Sequence, residues 1–363
     1  MDIRHIKFCC VLLLCLSLYG PSSLALPTIT ADDGHYQYSG RIDLSQQGKA
    51  YLSWPGSSIK MRFSGAKFTL VMADDKGRNF YNIIVNGQDS YPLVLATQKG
   101  LHSYDLSYML EGSPTTIEIF KRTEGTEGGS YFYGVQLEDG GKLLPPPPVP
   151  KRKIAFFGDS VTSGMGNEAP YNGDDNLSSQ KNHYLSYAPM TARMLDAEFH
   201  TVSQSGIGFM ISWFDFIMAD FYDQMTATGN NASRWDFTSW QPDVVVVNLG
   251  QNDSWLIDKE QRLQPHPQPA QIIQAYVNFI HSLRDVYPHA QFICVLGSMD
   301  ITANNRWPDY LTRAIAHIEA DDPKAKIASL LLPYNGYDKH PRVAQHQKNA
   351  RLLAAKIRLL MSW

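Results

Sequence analysis

The chain has 363 residues and a formal net charge of −3 at pH 7, with 18% charged and 12% aromatic side chains. This length allows two domains, each with a core of its own. Because the net charge is slightly acidic, nothing in the composition suggests a nucleic-acid-binding protein.

Residues 1–25 have the pattern of a secretory signal peptide. A positively charged start precedes an apolar run over 8–18, and residues 23–25 form a small-x-small cleavage site. The apolar run is too short to span a membrane, so we predict no membrane contact after cleavage. A lipoprotein signal at Cys15 is disfavoured because the bulky Leu14 precedes it.

Cysteine usage supports export to an extracellular or periplasmic compartment of a bacterium. Three of the four cysteines fall in the predicted leader, so the mature chain keeps Cys294 alone and forms no intramolecular disulfide. Its core must therefore be large enough to be stable without one. Cys294 lies within an apolar run and is predicted to be a buried small hydrophobe.

Residues 26–142 are typical of an all-β domain. Apolar and polar residues alternate at 60–63, 67–72 and 116–120, and turn sequences such as Asn86-Gly87 separate the runs. Many short strands at close spacing predict a β-sandwich.

Residues 143–153 are a proline-rich linker. Pro145 to Pro148 and Pro150 favour an extended polyproline conformation, which is a stiff spacer. A stiff linker holds two domains in a fixed relation, and we expect the sandwich to help form the wall of the site.

Residues 154–363 alternate between strand and helix patterns, which predicts a doubly wound sheet of about five parallel strands. The predicted strands are Ile154–Phe157, Phe199–Ser203, Val244–Leu249, Gln291–Leu296 and Lys326–Leu332. The predicted helices are Tyr184–Asp196, Gln268–Val286, Tyr310–Glu319 and Val343–Leu360. The four consecutive valines from Val244 are typical of a central strand buried on both faces.

Gly158-Asp159-Ser160 follows the first of these strands. A serine at the carboxyl end of a parallel strand lies where open α/β sheets build their sites. Ser160 is therefore the candidate nucleophile, and it needs a base and oxyanion donors. The alternative is that this tripeptide only begins a helix, with Asp159 or Ser160 as its N-cap.

His340 is the candidate base. It follows the last predicted strand, precedes the last predicted helix, and has Asp338 two residues before it as a natural acid partner. For an isolated histidine a surface loop would be the better interpretation, but the other motifs favour catalysis.

Asn252 and Gly206 are the candidate oxyanion donors. Asn252 lies just past the valine-rich strand, and its side-chain amide can donate to an oxyanion, as can a backbone N–H in the glycine turn at Gly206. The alternatives are an Asx-turn for Asn252 and simple turn chemistry for the glycine. Asp253 is predicted to be structural.

Together these blocks resemble the SGNH (GDSL-type) hydrolase superfamily. The resemblance implies Ser160 as nucleophile and His340 as base, with oxyanion donors from Ser160 N–H, Gly206 N–H and the Asn252 amide. It also implies a three-layer α/β fold with a five-stranded parallel sheet.

The Asp338-Lys339-His340-Pro341 spacing departs from the superfamily norm, which places the acid three residues before the histidine, here Tyr337. The shorter spacing is similar to carbohydrate esterase family 2, in which a jelly-roll-like β-sandwich precedes the SGNH domain. In that family either the aspartate or a backbone carbonyl orients the histidine. The residue at Lys339 is an aromatic group in some relatives and lines the sugar site.

The resemblance implies removal of O-acetyl groups from plant polysaccharides such as xylan, mannan or glucomannan, with a bias toward the 6-hydroxyl. Trp255, three residues after Asn252, is the candidate sugar-stacking residue, against the default of a core aromatic. The alternatives are a general or lipolytic esterase, and a carbohydrate-binding protein with a vestigial esterase domain. No metal site and no cofactor are expected.

Overall fold

The computed structural model describes residues 27–228, 233–334, 336 and 339–363. The predicted signal peptide lies outside these residues. Within the described ranges, no helix combines the length and the apolar composition needed to cross a bilayer.

The N-terminal half consists, among the described residues, of two six-stranded antiparallel sheets. The first has the order β3-β4-β11-β6-β9 with β1 paired to β11, and the second has the order β12-β5-β10-β7-β8 with β2 paired to β5. The strands are β1 Thr28–Thr30, β2 Gln37–Ser39, β3 Ile42–Asp43, β4 Ala50–Leu52, β5 Ser58–Ser64, β6 Phe68–Asp74, β7 Phe80–Val85, β8 Gln88–Ala96, β9 Gly100–Asp105, β10 Thr115–Lys121, β11 Ser130–Leu137 and β12 Lys142–Leu144.

The sandwich core follows from the alternation in these strands. In β5, Ile59, Met61 and Phe63 are buried, whereas the residues between them face outward. Phe63 stacks on Phe68 of β6, with ring centroids 4.9 Å apart. Apolar side chains from the two sheets fill one core, which confirms the predicted all-β domain.

The C-terminal half is built on a five-stranded parallel sheet of order β14-β13-β15-β16-β17, as predicted. Its strands are β13 Arg152–Gly158, β14 Ala197–Ser203, β15 Val244–Asn248, β16 Gln291–Leu296 and β17 Ile327–Leu331. The α-helices are α1 Ser160–Ser163, α2 Tyr187–Met194, α3 Met218–Phe221, α4 Gln251–Ser254, α5 Pro269–Val286, α6 Arg306–Asp321 and α7 Val343–Met361.

The central strand β15 is buried on both faces. Val245 and Val247 pack toward α5 and α6, whereas Val244 and Val246 pack toward α2 and α7. The sheet is thus the middle of three layers, as the resemblance implied. Helix α2 begins three residues later than predicted, because Pro189 has no backbone N–H and fits only in the first turn of a helix.

The carboxyl ends of three neighbouring strands meet at one edge of this sheet. Gly158 of β13 pairs with Ser203 of β14 on one side and with Asn248 of β15 on the other. The chain crosses from β14 back past β13 to β15, so the strand order reverses between these neighbours. Such a reversal leaves a crevice at the strand ends, where ligands bind in open α/β sheets.

The two halves meet through buried charges. The Glu124 carboxylate of the sandwich accepts a hydrogen bond from the Ser205 N–H at 2.6 Å and lies 3.2 Å from the Lys181 ammonium. Glu127 lies 2.7 Å from the same ammonium. Burial raises the pKa of Glu124, but the Lys181 charge and the Ser205 hydrogen bonds outweigh burial and lower it. The sandwich therefore contacts the segment that carries Gly206.

Side chains of the sandwich also donate hydrogen bonds to backbone carbonyls of the C-terminal half. The Trp54 indole N–H donates to the Met225 carbonyl at 2.8 Å, and the buried Arg41 donates to the Tyr222 carbonyl at 2.6 Å. A Cβ at Gly125 would lie 2.1 Å from the Ala227 carbonyl oxygen, so only glycine permits this approach.

We expect Glu124→Gln to destabilise the whole chain by about 3 kcal/mol, the lower end of the range for breaking a buried ion pair. The substitution removes one of the two carboxylates that neutralise the buried Lys181. Urea unfolding of the full chain measures the change. Glu118→Gln is the control: it breaks a half-buried surface pair with Lys60, and we expect a smaller cost of about 0–1 kcal/mol. Equal effects of the two substitutions would contradict our expectation that the buried ion pair between the halves contributes more stability than the surface pair.

Candidate active site

Ser160 lies at a sharp turn between strand β13 and helix α1. A Cβ at Gly158 would lie 2.0 Å from the Thr162 hydroxyl, so the strand must end in glycine here. Asp159 is the N-cap of the helix and accepts a hydrogen bond from the Val161 N–H at 3.0 Å. Both interpretations of the tripeptide therefore hold: it begins a helix, and it places the Ser160 hydroxyl at the sheet edge. Burial raises the pKa of the Asp159 carboxyl to about 7.

His340 lies next to Ser160, as predicted. The Ser160 hydroxyl oxygen is 2.8 Å from His340 Nε2, although the two residues are 180 positions apart in the sequence. This distance is within hydrogen-bond reach, the first geometric requirement for a nucleophile and its general base.

A carboxylate that the sequence analysis missed contacts the other side of the imidazole. Asp175 Oδ2 lies 2.9 Å from His340 Nδ1. Asp175 belongs to a polar loop without periodicity and follows no strand, so the sequence offered no signal for it. The predicted acid, Asp338, lies outside the described residues, and its role stays a prediction.

The predicted oxyanion donors lie around the serine. Gly206 has a φ of +89°, the left-handed region that favours glycine. The Asn252 amide NH₂ donates to the Ile207 carbonyl at 2.9 Å, and its oxygen accepts from the Trp213 indole at 3.2 Å. The Trp213 contact fixes which end of the amide is the oxygen, so the NH₂ group is the end available to an oxyanion.

Asp253 holds the loop that follows Gly206. Its buried carboxylate accepts hydrogen bonds from the backbone N–H groups of Phe209, Met210 and Ile211, at 3.2, 2.8 and 3.1 Å. Burial raises the pKa of Asp253 to about 6, although these bonds act in the opposite direction. Asp253 therefore fixes the loop that follows Gly206, the candidate oxyanion donor.

The predicted nucleophile, base and oxyanion donors all line one cavity of about 410 Å³. Its lining includes residues of both halves: Thr126, Ser160, Met165, Asn176, Gln204, Ser205, Gly206, Trp213, Phe214, Gln251, Asn252, Trp255, Met299 and His340. Thr126 comes from the sandwich, in agreement with the expectation that this domain helps form the wall of the site. We call this space the active-site cavity.

Two tryptophans line the active-site cavity. Trp255 donates from its indole N–H to Asp300 at 2.7 Å, which fixes the plane of its ring. Trp213, which the sequence analysis did not single out, is 43% exposed. The Arg262 guanidinium packs over its ring, 4.4 Å from the ring centroid. Lys339 is half-buried beside His340, and its contact with substrate stays a prediction.

Comparison with known proteins agrees with this architecture. The family profile "GDSL-like Lipase/Acylhydrolase family" matches residues 156–362, and "Carbohydrate esterase 2 N-terminal" matches residues 38–147. The chain belongs to the GDSL-like lipase/acylhydrolase family. In front of that domain it carries the N-terminal domain of carbohydrate esterase family 2, as the sequence motifs indicated.

Individual relatives match the chain across both of its domains. The chain is 31% identical to cellulase/esterase CelE of Acetivibrio thermocellus over 90% of its own length, and spans 39% of that longer protein. It is 27% identical to an acetylxylan esterase / glucomannan deacetylase of Cellvibrio japonicus, covering 93% of this chain and 92% of that protein. A family two carbohydrate esterase of Clostridium thermocellum, solved with cellohexaose, superposes with a TM-score of 0.81 at 29% identity, covering 90% of this chain and 99% of that chain.

We expect Asn252→Ala to lower kcat on a small acetyl ester by about 10²–10³-fold with little change in KM, as for removal of one oxyanion donor. The amide would stabilise charge that develops only in the transition state, so its loss should not weaken ground-state binding. Steady-state kinetics measure both constants. Asn278→Ala, at an exposed position on α5, is the control and should match the unsubstituted protein. A change confined to KM would mean that Asn252 binds substrate instead.

Proposed function

We propose that this chain is a serine esterase that removes O-acetyl groups from plant polysaccharides through an acetyl-enzyme intermediate. The observation that carries the proposal is the 2.8 Å contact between Ser160 Oγ and His340 Nε2 beside the Asn252 amide, inside one cavity. A nucleophile, a base and an oxyanion donor are the minimum set for acyl transfer.

In the first half-reaction Ser160 Oγ attacks the acetyl carbonyl carbon, and the serine proton passes to His340 Nε2. Negative charge develops on the carbonyl oxygen, where the Ser160 N–H, the Gly206 N–H and the Asn252 amide would stabilise it. The bond between the acetyl carbon and the sugar oxygen then breaks. The sugar hydroxyl leaves with the proton held by His340.

In the second half-reaction water attacks the acetyl group on Ser160. His340 Nε2 takes the water proton, the bond between the acetyl carbon and Ser160 Oγ breaks, and the proton returns to the serine oxygen. The products are the original enzyme and acetic acid, which releases a proton to water to give acetate, so the cycle needs no cofactor.

The proposed substrates are acetylated xylan, mannan or glucomannan, with the 6-O-acetyl group of a hexose as the preferred position. The named activity of the Cellvibrio japonicus relative supports this class of substrate. The walls of the active-site cavity support it too: sugar rings stack on aromatic faces, and Trp213 and Trp255 offer two, next to the polar Gln204 and Gln251.

We propose that the chain reaches these polymers by export from a bacterial cell, to the periplasm or the outside. The positive start, the apolar run and the cleavage site of residues 1–25 support this proposal. The buried free thiol of Cys294, which has no described partner for a disulfide, is compatible with it.

Product analysis by NMR on acetylated xylan and acetylated glucomannan, side by side, tests the substrate proposal. We expect acetate release from both, with the 6-O-acetyl signals of glucomannan disappearing first.

Hydrolysis of 4-nitrophenyl acetate, compared with that of the 4-nitrophenyl ester of a long-chain fatty acid, distinguishes the alternative functions. Preference for the long chain would indicate a lipolytic esterase, and no hydrolysis of any ester would indicate a carbohydrate-binding protein.

A further inference from the structure

Asp175 makes two contacts with the same residue. Its Oδ2 atom accepts a hydrogen bond from the backbone N–H of His340 at 3.1 Å and lies 2.9 Å from the Nδ1 atom of that imidazole. The residue is buried, with 7% of its surface exposed, although the loop around it is mostly exposed. Two contacts on one oxygen fix the position of the carboxylate relative to the ring.

Arg342 holds the second oxygen of this carboxylate. Its guanidinium donates to Asp175 Oδ1 at 2.6 Å, to the Gly166 carbonyl at 2.7 Å and to the Pro170 carbonyl at 3.0 Å. The last two carbonyls belong to the segment that leads into Asp175. Arg342 lies two residues after His340, so these bonds hold the Asp175 loop against the His340 segment. Because Arg342 occupies Oδ1, Oδ2 is the carboxylate oxygen that contacts the imidazole.

The loop that carries Asp175 is also packed closely against itself. Gly166 has a φ of +58°, and a Cβ there would lie 2.6 Å from the Asp175 Cα. Burial by itself raises the pKa of Asp175, but hydrogen bonds from His340 and Arg342 outweigh burial and lower it to about 2. The carboxylate is therefore ionised throughout the neutral range and accepts hydrogen bonds only.

We propose that Asp175 is the acid that positions the catalytic base, so that the working set is Ser160, His340 and Asp175. The proposal rests on the esterase function proposed above. An ionised carboxylate at Nδ1 keeps the ring proton on that nitrogen and leaves the Nε2 lone pair for the serine proton. It also stabilises the imidazolium that forms while His340 holds that proton.

The acid is thereby supplied by the loop between α1 and α2, far from His340 in the sequence. Asp338, predicted from its spacing, is the competing candidate, and a comparison of the two residues decides between them. Asp174→Asn is the matched control, because it removes the same charge from an exposed side chain one residue away.

We expect Asp175→Asn to lower kcat by about 10³–10⁴-fold, the effect of neutralising the acid of a triad, with KM little changed. Asp338→Asn and Asp174→Asn should keep most of the activity.

The acid limb of the kcat/KM profile should move to lower pH in Asp175→Asn, because loss of the negative charge destabilises the imidazolium of His340. Arg342, which donates to the His340 backbone carbonyl, and the buried His346, which interacts electrostatically with the His340 imidazole, are unchanged in every variant.

A spectroscopic measurement does not depend on activity or on the folding of Asp175→Asn. In the intact protein with ¹⁵N-labelled histidine, the Nδ1–H proton of His340 should resonate far downfield, as expected for a hydrogen bond to a carboxylate. The Asp338→Asn variant should keep this signal. Its disappearance in that variant would overturn the proposal.

An activity loss smaller than about tenfold in folded Asp175→Asn would also overturn the proposal, given the loss expected for a triad acid. Ser160→Ala separates this failure from failure of the esterase function. If Ser160→Ala is inactive and Asp175→Asn is active, only the positioning role is wrong. If Ser160→Ala is fully active, the proposed function itself is wrong.

Discussion

Replacement of Ser160 by alanine is expected to lower kcat on a small acetyl ester by roughly 10⁶-fold while the protein keeps its fold. Without the hydroxyl no acetyl-enzyme can form, and any residual rate comes from oxyanion stabilisation and binding alone. The side chain is buried and lines the active-site cavity, which the substitution would only slightly enlarge. Steady-state hydrolysis and a thermal melt of the same sample measure the two effects.

Ser163→Ala is the matched control for this experiment. Ser163 lies on the same short helix, and its hydroxyl is 2.8 Å from that of Ser203 and makes no described contact with His340. We expect a kcat close to that of the unsubstituted protein. The loss of stability should be about 1–3 kcal/mol, because the Ser163 hydroxyl also hydrogen-bonds the buried Glu124 carboxylate. Near-normal activity of Ser160→Ala would refute the assignment of the nucleophile.

Replacement of His340 by alanine is expected to be almost as damaging, with a loss of kcat of about 10⁴–10⁶-fold. Without the imidazole nothing accepts the serine proton or returns it to the sugar oxygen. The unsubstituted enzyme should lose activity on the acid side of its pH profile, because a protonated imidazole cannot act as a base. This limb should be absent from the residual activity of His340→Ala.

Added imidazole distinguishes the base from a structural histidine. The substitution leaves a space beside Ser160, and we expect free imidazole to restore part of the activity of His340→Ala but none in Ser160→Ala. The exposed His317→Ala is the control and should behave like the unsubstituted protein. A kcat for His340→Ala within tenfold of normal would remove His340 from the mechanism.

The sheet of the hydrolase half could be predicted because its strands are nearly pure apolar runs. The run from Val244 predicted a buried central strand, and β15 comprises Val244–Asn248 with Val244 to Val247 fully buried. A parallel strand covered on both faces leaves no room for polar alternation. Parallel strands also place their carboxyl ends together, so motifs far apart in the sequence could be expected at one edge of the sheet.

The contacts that depend on loops could not be predicted in this way. Asp175 contacts His340 across 165 residues of sequence from a loop without periodicity, and only its folded path brings it there. The same applies to the indole of Trp213, which orients the Asn252 amide. It also applies to Glu124 of the other domain, which accepts a hydrogen bond from Ser205, next to Gly206. Side chains on irregular loops carry no periodic signal that marks their direction.

The most direct test of the central claim is the time course of acetate release from acetylated glucomannan, followed by NMR with the full chain and with Ser160→Ala in parallel. The account predicts steady release by the unsubstituted protein, a polymer that keeps its chain length, and no release above background by Ser160→Ala. No release by the unsubstituted protein, or equal release by both, would contradict it.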